Sequence, residues 1–167
     1  MGLYSLSNLY QAVILDHSKS PRNKHKLEHP THHMELLNPT CGDAIVVESI
    51  VEDDKIKDLA YTGAGCAISM ASASMMSEVL KDKSVEEARE MTIEFDHLIG
   101  GVDKKIDTLQ MSEEELKKKL NDASFLEGVK QFPARYKCAV LAWRAFELGL
   151  DQDSTQTEGV SIDDIDK

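Results

Sequence analysis

The spacing of hydrophobic residues changes along the chain from helical to strand-like and back to helical. The first apolar positions recur at helical spacing and predict an amphipathic helix that ends near Asp16. Those positions are Leu6, Leu9, Tyr10, Val13 and Ile14. From Thr31 onward the pattern becomes that of strands, at 34–37, 44–51 and 56–61. Three consecutive strands predict an antiparallel meander.

The second half of the chain returns to helical spacing. Residues 67–80 predict one helix, and Ser84 begins a capping box for the next. A last helix follows Pro133, and Gly149 is typical of the residue just past a helix end. Together these segments predict one α+β domain over 1–150, in which several helices pack against a small three-stranded antiparallel sheet.

Two charged segments stand apart from this pattern. Residues 102–121 predict a solvated helix in which Ser112 and Glu115 form another capping box. A surface excursion and a partner-docking element both fit that segment. Residues 151–167 carry six acidic groups, one lysine and few large apolar residues, so they predict an acidic mobile tail.

The composition of the 167-residue chain narrows the function classes. Hydrophobic residues make up 41% of it, which is enough for one buried core. The net charge of −11 argues against sequence-independent binding to nucleic acid, because a polyanion would be repelled. No apolar run approaches the roughly 20 residues that a membrane span needs. Three cysteines without a secretory leader pattern predict a reducing compartment, the cytoplasm.

Four histidines precede or begin the strand region without forming a recognised ligand pattern. Their spacing matches no standard metal-binding frame, so solvated loop histidines are the expected interpretation. They are His25, His29, His32 and His33.

Three cysteines and one aspartate are the candidate functional residues. The turn 38–43 places the Cys41 thiol two positions before the Asp43 carboxylate, between two predicted strands. Cys66 precedes a predicted helix, whose N-terminus favours a thiolate. Cys138 falls in the first turns of the last helix, where a core position also fits. Thiolates and carboxylates suit zinc or an iron–sulfur cluster, and the wide cysteine spacing leaves their convergence open.

Three short motifs, each with one cysteine, give the chain a family resemblance. NPTCGD, GAGCA and PARYKCA resemble, in this order and spacing, the cysteine motifs of the iron–sulfur cluster assembly family of IscU and the amino-terminal domain of NifU. The likeness extends from the first helix to about Gly149. It implies a three-stranded antiparallel sheet flanked by helices, with Cys41, Asp43, Cys66 and Cys138 meeting at one exposed end as metal ligands.

Three departures from the shorter scaffolds resemble the SufU branch of this family. Lys137 stands where those scaffolds have histidine, their chaperone-binding sequence is missing ahead of the third cysteine, and 102–121 resembles a helical insertion. This branch implies a zinc-dependent sulfurtransferase that accepts persulfide sulfur on Cys41 from a cysteine desulfurase of the SufS type. The sulfur would then pass to downstream components of the SUF machinery. Arg135 and Lys137 become candidate supports of the site, although both also fit a solvated helix face.

Two other functions share the same ligand set. A non-enzymatic scaffold would assemble a [2Fe-2S] cluster, or bind iron, at these four residues, since thiolates suit both metals. A structural zinc module would fold around its metal and never carry sulfur. Lys137 favours sulfur transfer over the scaffold, because it replaces a histidine that could be a ligand.

Overall fold

The computed structural model describes residues 3–101, 111–151 and 157–165, with side chains from Tyr10 onward. Up to α5, the helices and the three central strands follow in the order that the hydrophobic pattern predicts. The elements are α1 (Leu3–Lys19), β1 (His32–Asn38), β2 (Asp43–Glu52), β3 (Lys55–Ala64), α2 (Ala67–Leu80), α3 (Val85–Leu98), α4 (Glu113–Leu120), α5 (Tyr136–Leu150) and β4 (Val160–Ser161). Three 3₁₀ segments complete the described chain, at Asn121–Gln131, Pro133–Arg135 and Ile162–Asp164.

The sheet has four strands in the order β3-β2-β1-β4, so the prediction of a three-stranded sheet is wrong by one strand. The predicted meander is confirmed, because β1 pairs antiparallel with β2 and β2 pairs antiparallel with β3. The added strand, β4, pairs in parallel with β1 at only two positions, Leu36 and Leu37. A two-residue strand in an acidic segment has too few apolar positions to produce a strand pattern in the sequence.

Residues 157–165 bind the edge of the sheet, which differs from the expected mobile tail. The Gly159 amide donates to the Glu35 carboxylate at 2.9 Å, just before β4 begins. Ile162 follows β4 and is only 3% exposed, within the main core. Backbone pairing and one buried isoleucine therefore hold this segment, while its acidic side chains give it the composition of a solvated tail.

The inward face of the sheet carries the core at its centre and polar residues at one end. Alternate residues of β1 and β2 are buried, as expected for strands with one covered face. Leu36 and Ile45 pair across the two strands, and both are fully buried. The next inward pair is Asn38 and Asp43, at the turn between the strands. The strand periodicity thus turns an amide and a carboxylate into the protein interior.

Helix α5 is the central helix of the fold. It packs against β1, β2 and α2, and nine of its residues are buried. Its Trp143 ring stacks on Phe95 of α3, with ring centroids 4.1 Å apart, and donates its indole N–H to Ser72 Oγ of α2 at 3.0 Å. Satisfying the indole N–H allows this large ring to be fully buried. These contacts hold the middle of α5 against α2 and α3.

Most helix predictions agree with the structure, and one helix end does not. The predicted helix at 67–80 is confirmed as α2, and Ser112 and Glu115 form both hydrogen bonds of the predicted capping box. The 102–110 part of the predicted insertion lies outside the described residues. Gly149 does not stop α5, which continues to Leu150. A side-chain carbon at Gly149 would lie 3.4 Å from Met34 Cβ, an ordinary van der Waals distance, so this position inside the helix does not require glycine.

Among the residues that the structure describes, no helix is both long enough and apolar enough to cross a membrane.

Candidate metal centre

The turn between β1 and β2 forms one wall of the candidate site. Asn38 and Asp43 face each other in register at its two ends, and the Cys41 amide donates to the Asn38 carbonyl oxygen at 3.3 Å. Gly42 has a φ of +70°, a conformation that glycine adopts without strain. The chain can therefore reverse within a few residues and carry Cys41 at the tip of the turn, half-buried.

Three ligand atoms from two distant parts of the chain converge at this turn. The Sγ atoms of Cys41 and Cys138 and a carboxylate oxygen of Asp43 all lie within 4.8 Å of one another. The two sulfur atoms are 3.1 Å apart, with the cysteines free. Cys138 lies in the first turn of α5, as predicted, and is fully buried. The packing of α5 on the sheet thus determines the position of the third predicted ligand.

Cys66 lies beside this group, with its sulfur outside the set of atoms that are within 4.8 Å of one another. It is the N-cap residue of α2, as the sequence predicts, and its amide donates to Asp43 Oδ1 at 2.9 Å. Its Sγ instead lies 3.7 Å from the hydroxyl oxygen of Ser69. The structure therefore gathers three of the four predicted ligand atoms and leaves the Cys66 sulfur outside that group.

Two polar residues that the sequence interpretation missed hold the ligands. Asn38 Nδ2 donates to Asp43 Oδ2 at 3.1 Å and to Cys138 Sγ at 3.5 Å. Ser69 Oγ donates to Asp43 Oδ1 at 3.1 Å. Both residues are fully buried, and Asp43 is 2% exposed. Their signals in the sequence were weak: Asn38 begins the turn that carries Cys41, and Ser69 follows Cys66 by three residues in the predicted helix.

Gly65 is required by this hydrogen-bonded cluster. A side-chain carbon at this position would lie 2.4 Å from Ser69 Oγ and 2.5 Å from Asp43 Oδ1. Both distances are shorter than any normal contact, so another residue would push the serine and the carboxylate apart. The small residues before Cys66 therefore allow α2 to begin against Asp43.

Burial makes the thiol form of Cys138 the stable one when no cation is bound. Desolvation raises the pKa of Cys138 well above its ordinary value, and the hydrogen bond with Cys41 and the charges of Cys66 and Asp43 raise it further. A cation at this position would reverse that preference, because it stabilises the thiolate. The cluster thus has the electrostatic character of a cation site.

Arg135 supplies positive charge at the open side of the cluster. Its Nη1 lies 4.0 Å from Cys41 Sγ. The pKa of Arg135 is raised by its hydrogen bond with Cys138 and by the charges of the three cysteines. The ammonium group of Lys137 instead binds the Asp163 carboxylate. Of the two basic residues singled out in the sequence, Arg135 therefore reaches the sulfur atoms, whereas Lys137 joins α5 to the C-terminal segment.

The donor set fits a tetrahedral thiophilic metal. A zinc ion with Zn–S bonds of about 2.3 Å holds its sulfur ligands about 3.8 Å apart, so zinc binding would move these two sulfur atoms apart by about 0.7 Å from the observed 3.1 Å. Sulfur and carboxylate ligands suit both zinc and iron–sulfur clusters. Within the described ranges this is the one group of candidate ligands, and the four histidines noted above are not part of it. His33 of that set contacts the Glu48 carboxylate at 3.1 Å.

Most of the chain matches a known family of domains. Residues 9–139 match the family described as the NifU-like N-terminal domain. This range contains all three cysteines, Asp43 and Arg135. It thus includes the complete candidate metal centre.

Individual relatives carry two different kinds of name. The chain is 40% identical over 151 residues to the zinc-dependent sulfurtransferase SufU of Bacillus subtilis, covering 89% of this chain and 94% of the relative. It is also 40% identical over 147 residues to the iron-sulfur cluster assembly scaffold protein IscU of Streptococcus pyogenes, covering 88% of this chain and 86% of the relative. Sequence identity alone therefore does not separate the two names.

A solved structure shares the fold. A protein of Fervidobacterium islandicum AW-1, titled an iron-sulfur cluster assembly scaffold protein for the SUF system, aligns with a TM-score of 0.71 and 29% identity. The alignment covers 89% of this chain and 99% of that protein. The α+β architecture, with helices packed on one small sheet, is thus that of a known group of domains.

Proposed function

The chain belongs to the NifU-like N-terminal domain family, and on that basis we propose that it is a zinc-dependent sulfurtransferase of iron–sulfur cluster assembly. The observation that carries the proposal is the unequal exposure of the clustered thiols. Cys41 is half-buried at the tip of a turn, whereas Cys138, whose sulfur is 3.1 Å away, is fully buried. One thiol can leave the cluster to meet a donor while the other remains. The name of the Bacillus subtilis relative supports the same activity.

We assign the metal ligands as Cys41, Asp43, Cys66 and Cys138. Three thiolates and one carboxylate around a divalent ion give a formal charge of about −2 and a closed tetrahedral shell. Completing this set requires the Cys66 side chain to turn from the Ser69 hydroxyl toward the other three ligand atoms. That movement is local, because the Cys66 amide already contacts Asp43.

In this proposal, zinc would keep its cysteine ligands deprotonated at neutral pH. The protein then has to expose one thiolate and retain the others. The turn carrying Cys41 has solvent on one side, whereas Cys138 is held in α5 and Asp43 in β2. Cys41 is therefore the ligand that can be displaced with least change to the core.

The reaction is a thiol exchange on a donor persulfide. The Cys41 thiolate attacks the terminal sulfur of the donor's persulfide, so a new S–S bond forms on Cys41 while the donor's S–S bond breaks. The electron pair of the broken bond leaves with the donor cysteine as its thiolate. No external oxidant or reductant is needed, because one persulfide replaces another.

Arg135 is the candidate supporting residue for this step. Its guanidinium group lies 4.0 Å from Cys41 Sγ at the exposed side of the cluster. A fixed positive charge there stabilises the freed Cys41 thiolate and afterwards the persulfide anion. Lys137 has no such role in the proposal, because its ammonium group is engaged by Asp163.

We propose a cysteine desulfurase of the SufS type as the sulfur donor and downstream SUF components as the acceptors. A desulfurase presents its sulfur as a cysteine persulfide, which is the substrate that the exchange requires. The exposed side of Cys41, next to Arg135, is the surface that must meet the donor. The relative from Bacillus subtilis is named a sulfurtransferase, and a sulfurtransferase requires a sulfur donor.

The second candidate function is a scaffold that assembles a [2Fe-2S] cluster. The relative from Streptococcus pyogenes carries a scaffold name, and the donor set suits iron as well as zinc. A scaffold predicts visible absorbance after loading with iron and sulfide. It does not predict that Cys41 differs from the other ligands in accepting sulfur. A structural zinc module, the third candidate, predicts loss of fold without zinc and no persulfide.

Alanine release by the desulfurase separates these functions. Alanine production from cysteine is measured with and without the zinc-loaded protein, using Cys41→Ala as the control. The transferase predicts strong stimulation that disappears in the control. No stimulation, together with stable iron–sulfur absorbance, would favour the scaffold.

A further inference from the structure

We propose that Asn38 and Ser69 are positioning residues that hold Asp43 and Cys138 in a metal-binding arrangement before the metal arrives. The inference rests on the ligand set of the proposed function. It concerns side chains that are not themselves ligands and that the family motifs do not identify as functional. Both are fully buried at the point where β1, β2, α2 and α5 meet.

Each oxygen of the Asp43 carboxylate has its own set of donors. Oδ1 accepts from the Cys66 amide at 2.9 Å and lies 3.1 Å from the Ser69 hydroxyl. Oδ2 accepts from Asn38 Nδ2 at 3.1 Å. The carboxylate is therefore fixed in orientation, with Oδ1 turned toward the start of α2 and Oδ2 turned toward the asparagine.

Asn38 links two ligands through one amide group. The same Nδ2 that contacts Asp43 Oδ2 lies 3.5 Å from Cys138 Sγ. Its two hydrogens thus serve a ligand from β2 and a ligand from α5. Because Asn38 is paired with Asp43 in the sheet, its amide is held by the backbone as well. This single side chain therefore links the carboxylate oxygen to the sulfur across β2 and α5.

The carbonyl oxygen of the Asn38 side chain indicates that core packing alone does not explain an asparagine at this position. Its Oδ1 is buried and has no hydrogen-bond partner among the described residues. A buried carbonyl oxygen without a partner costs stability, so an apolar residue would serve the core better. The amide nitrogen of Asn38 instead contacts two ligand atoms. This is the arrangement expected of a residue that orients the ligands of a metal.

Ser69 holds Oδ1 and the resting Cys66 thiol together. Its oxygen lies 3.1 Å from Asp43 Oδ1, 3.0 Å from the Cys66 carbonyl oxygen and 3.7 Å from Cys66 Sγ. Oδ1 faces the Cys66 amide and the Ser69 hydroxyl, whereas Oδ2 faces the Asn38 amide, which also contacts Cys138 Sγ, so Oδ2 is the oxygen on the side of Cys138. The geometry therefore assigns Oδ2 as the metal-binding oxygen.

Metal affinity of four variants tests this assignment. Zinc binding to Asn38→Ala, Ser69→Ala, Asp43→Ala and Ser77→Ala is measured by competition with a chromophoric chelator, and the unfolding of each metal-free variant is measured alongside. Ser77 is a matched control, because it is a fully buried serine of the same helix whose hydroxyl donates to a backbone oxygen at 2.7 Å. Cobalt spectra of the same variants report the sulfur ligands directly.

Positioning predicts that Asn38→Ala and Ser69→Ala weaken zinc binding by about 10-fold to 100-fold, whereas Ser77→Ala retains wild-type affinity. It also predicts that the cobalt thiolate charge-transfer band of Asn38→Ala moves to lower energy, because Cys138 Sγ loses a hydrogen-bond donor. A role in folding alone would lower stability without moving that band.

Two results would contradict the proposal, one its positioning role and the other its ligand set. Zinc affinity within twofold of wild type in both Asn38→Ala and Ser69→Ala, with Asp43→Ala strongly weakened, would refute the positioning role and leave the ligand set intact. Wild-type affinity in Asp43→Ala would refute the ligand set itself.

Discussion

The sulfur atoms of Cys41 and Cys138 lie 3.1 Å apart, although the two residues are separated by 97 positions in the chain. One sulfur is carried by a turn of the sheet and the other by the first turn of α5. Their meeting depends on the packing of α5 against β1 and β2. The same packing leaves Cys41 partly accessible and Cys138 enclosed, a difference on which the proposed sulfur transfer depends.

Replacing Gly65 by alanine should damage the metal centre more than the fold. The added carbon would lie 2.4 Å from Ser69 Oγ, so the variant should lose about 1–3 kcal/mol of stability and bind zinc more weakly. Gly128→Ala is the matched control, because a carbon there meets nothing within 4 Å, and it should change stability by no more than about 1 kcal/mol. Urea unfolding and zinc titration measure both effects. Equal zinc affinity in the two variants would contradict the described cluster.

Arg135 and Lys137 should differ in their effect on sulfur transfer. Arg135→Ala removes the charge beside Cys41 and should slow persulfide transfer by about 10-fold to 100-fold without lowering zinc content. Arg135→Lys should restore part of the rate. Lys137→Ala should leave the rate near wild type, since this lysine binds Asp163. Single-turnover transfer assays with matched zinc content measure these rates, and equal losses in the two alanine variants would argue against a specific role for Arg135.

The C-terminal segment should contribute to stability through one buried side chain. Ile162→Ala removes apolar atoms from a site that is 3% exposed and should cost about 2–5 kcal/mol. Asp163→Asn in the same segment removes only a partly exposed ion pair with Lys137 and should cost no more than about 1 kcal/mol. Chemical denaturation measures both. A mobile tail would instead give no loss in either variant.

Tyr61 should make the protein sensitive to alkaline pH. Burial raises the pKa of Tyr61 from 10.0 to about 12 in the folded protein. Its contribution to stability is therefore fully present below about pH 10 and is lost as the pH rises toward 12, because the unfolded chain ionises first. Tyr61→Phe should show a shallower decline in unfolding free energy above pH 10. Identical pH profiles for the two proteins would show that this hydroxyl does not titrate differently on folding.

Local patterns were sufficient to predict most elements of the fold. Helical spacing and a capping box predicted α2 and α4, and strand-like spacing broken by turn residues predicted the three central strands. The strand β4 escaped prediction because two backbone pairs and one buried isoleucine, Ile162, leave almost no periodic signal. Sheet edges are completed by tertiary contacts, which a local pattern does not contain.

The candidate site was predictable in its residue types and only partly in its geometry. The motifs identified Cys41, Asp43 and Cys138, which the structure brings together. The orientation of the Cys66 thiol toward Ser69 depends on a side-chain rotation that sequence spacing does not determine. The role of Asn38 depends on its cross-strand register with Asp43 and on the approach of α5. Both require the assembled fold.

Trapping the sulfur on Cys41 tests the central claim most directly. The zinc-loaded protein is incubated with the desulfurase and cysteine, alkylated, digested and analysed by mass spectrometry, with Cys41→Ser treated in parallel. The proposed function predicts one additional sulfur atom on the peptide that contains Cys41 and none on the peptides of Cys66 and Cys138. An unmodified Cys41 peptide, or equal persulfide in the Cys41→Ser variant, would contradict it.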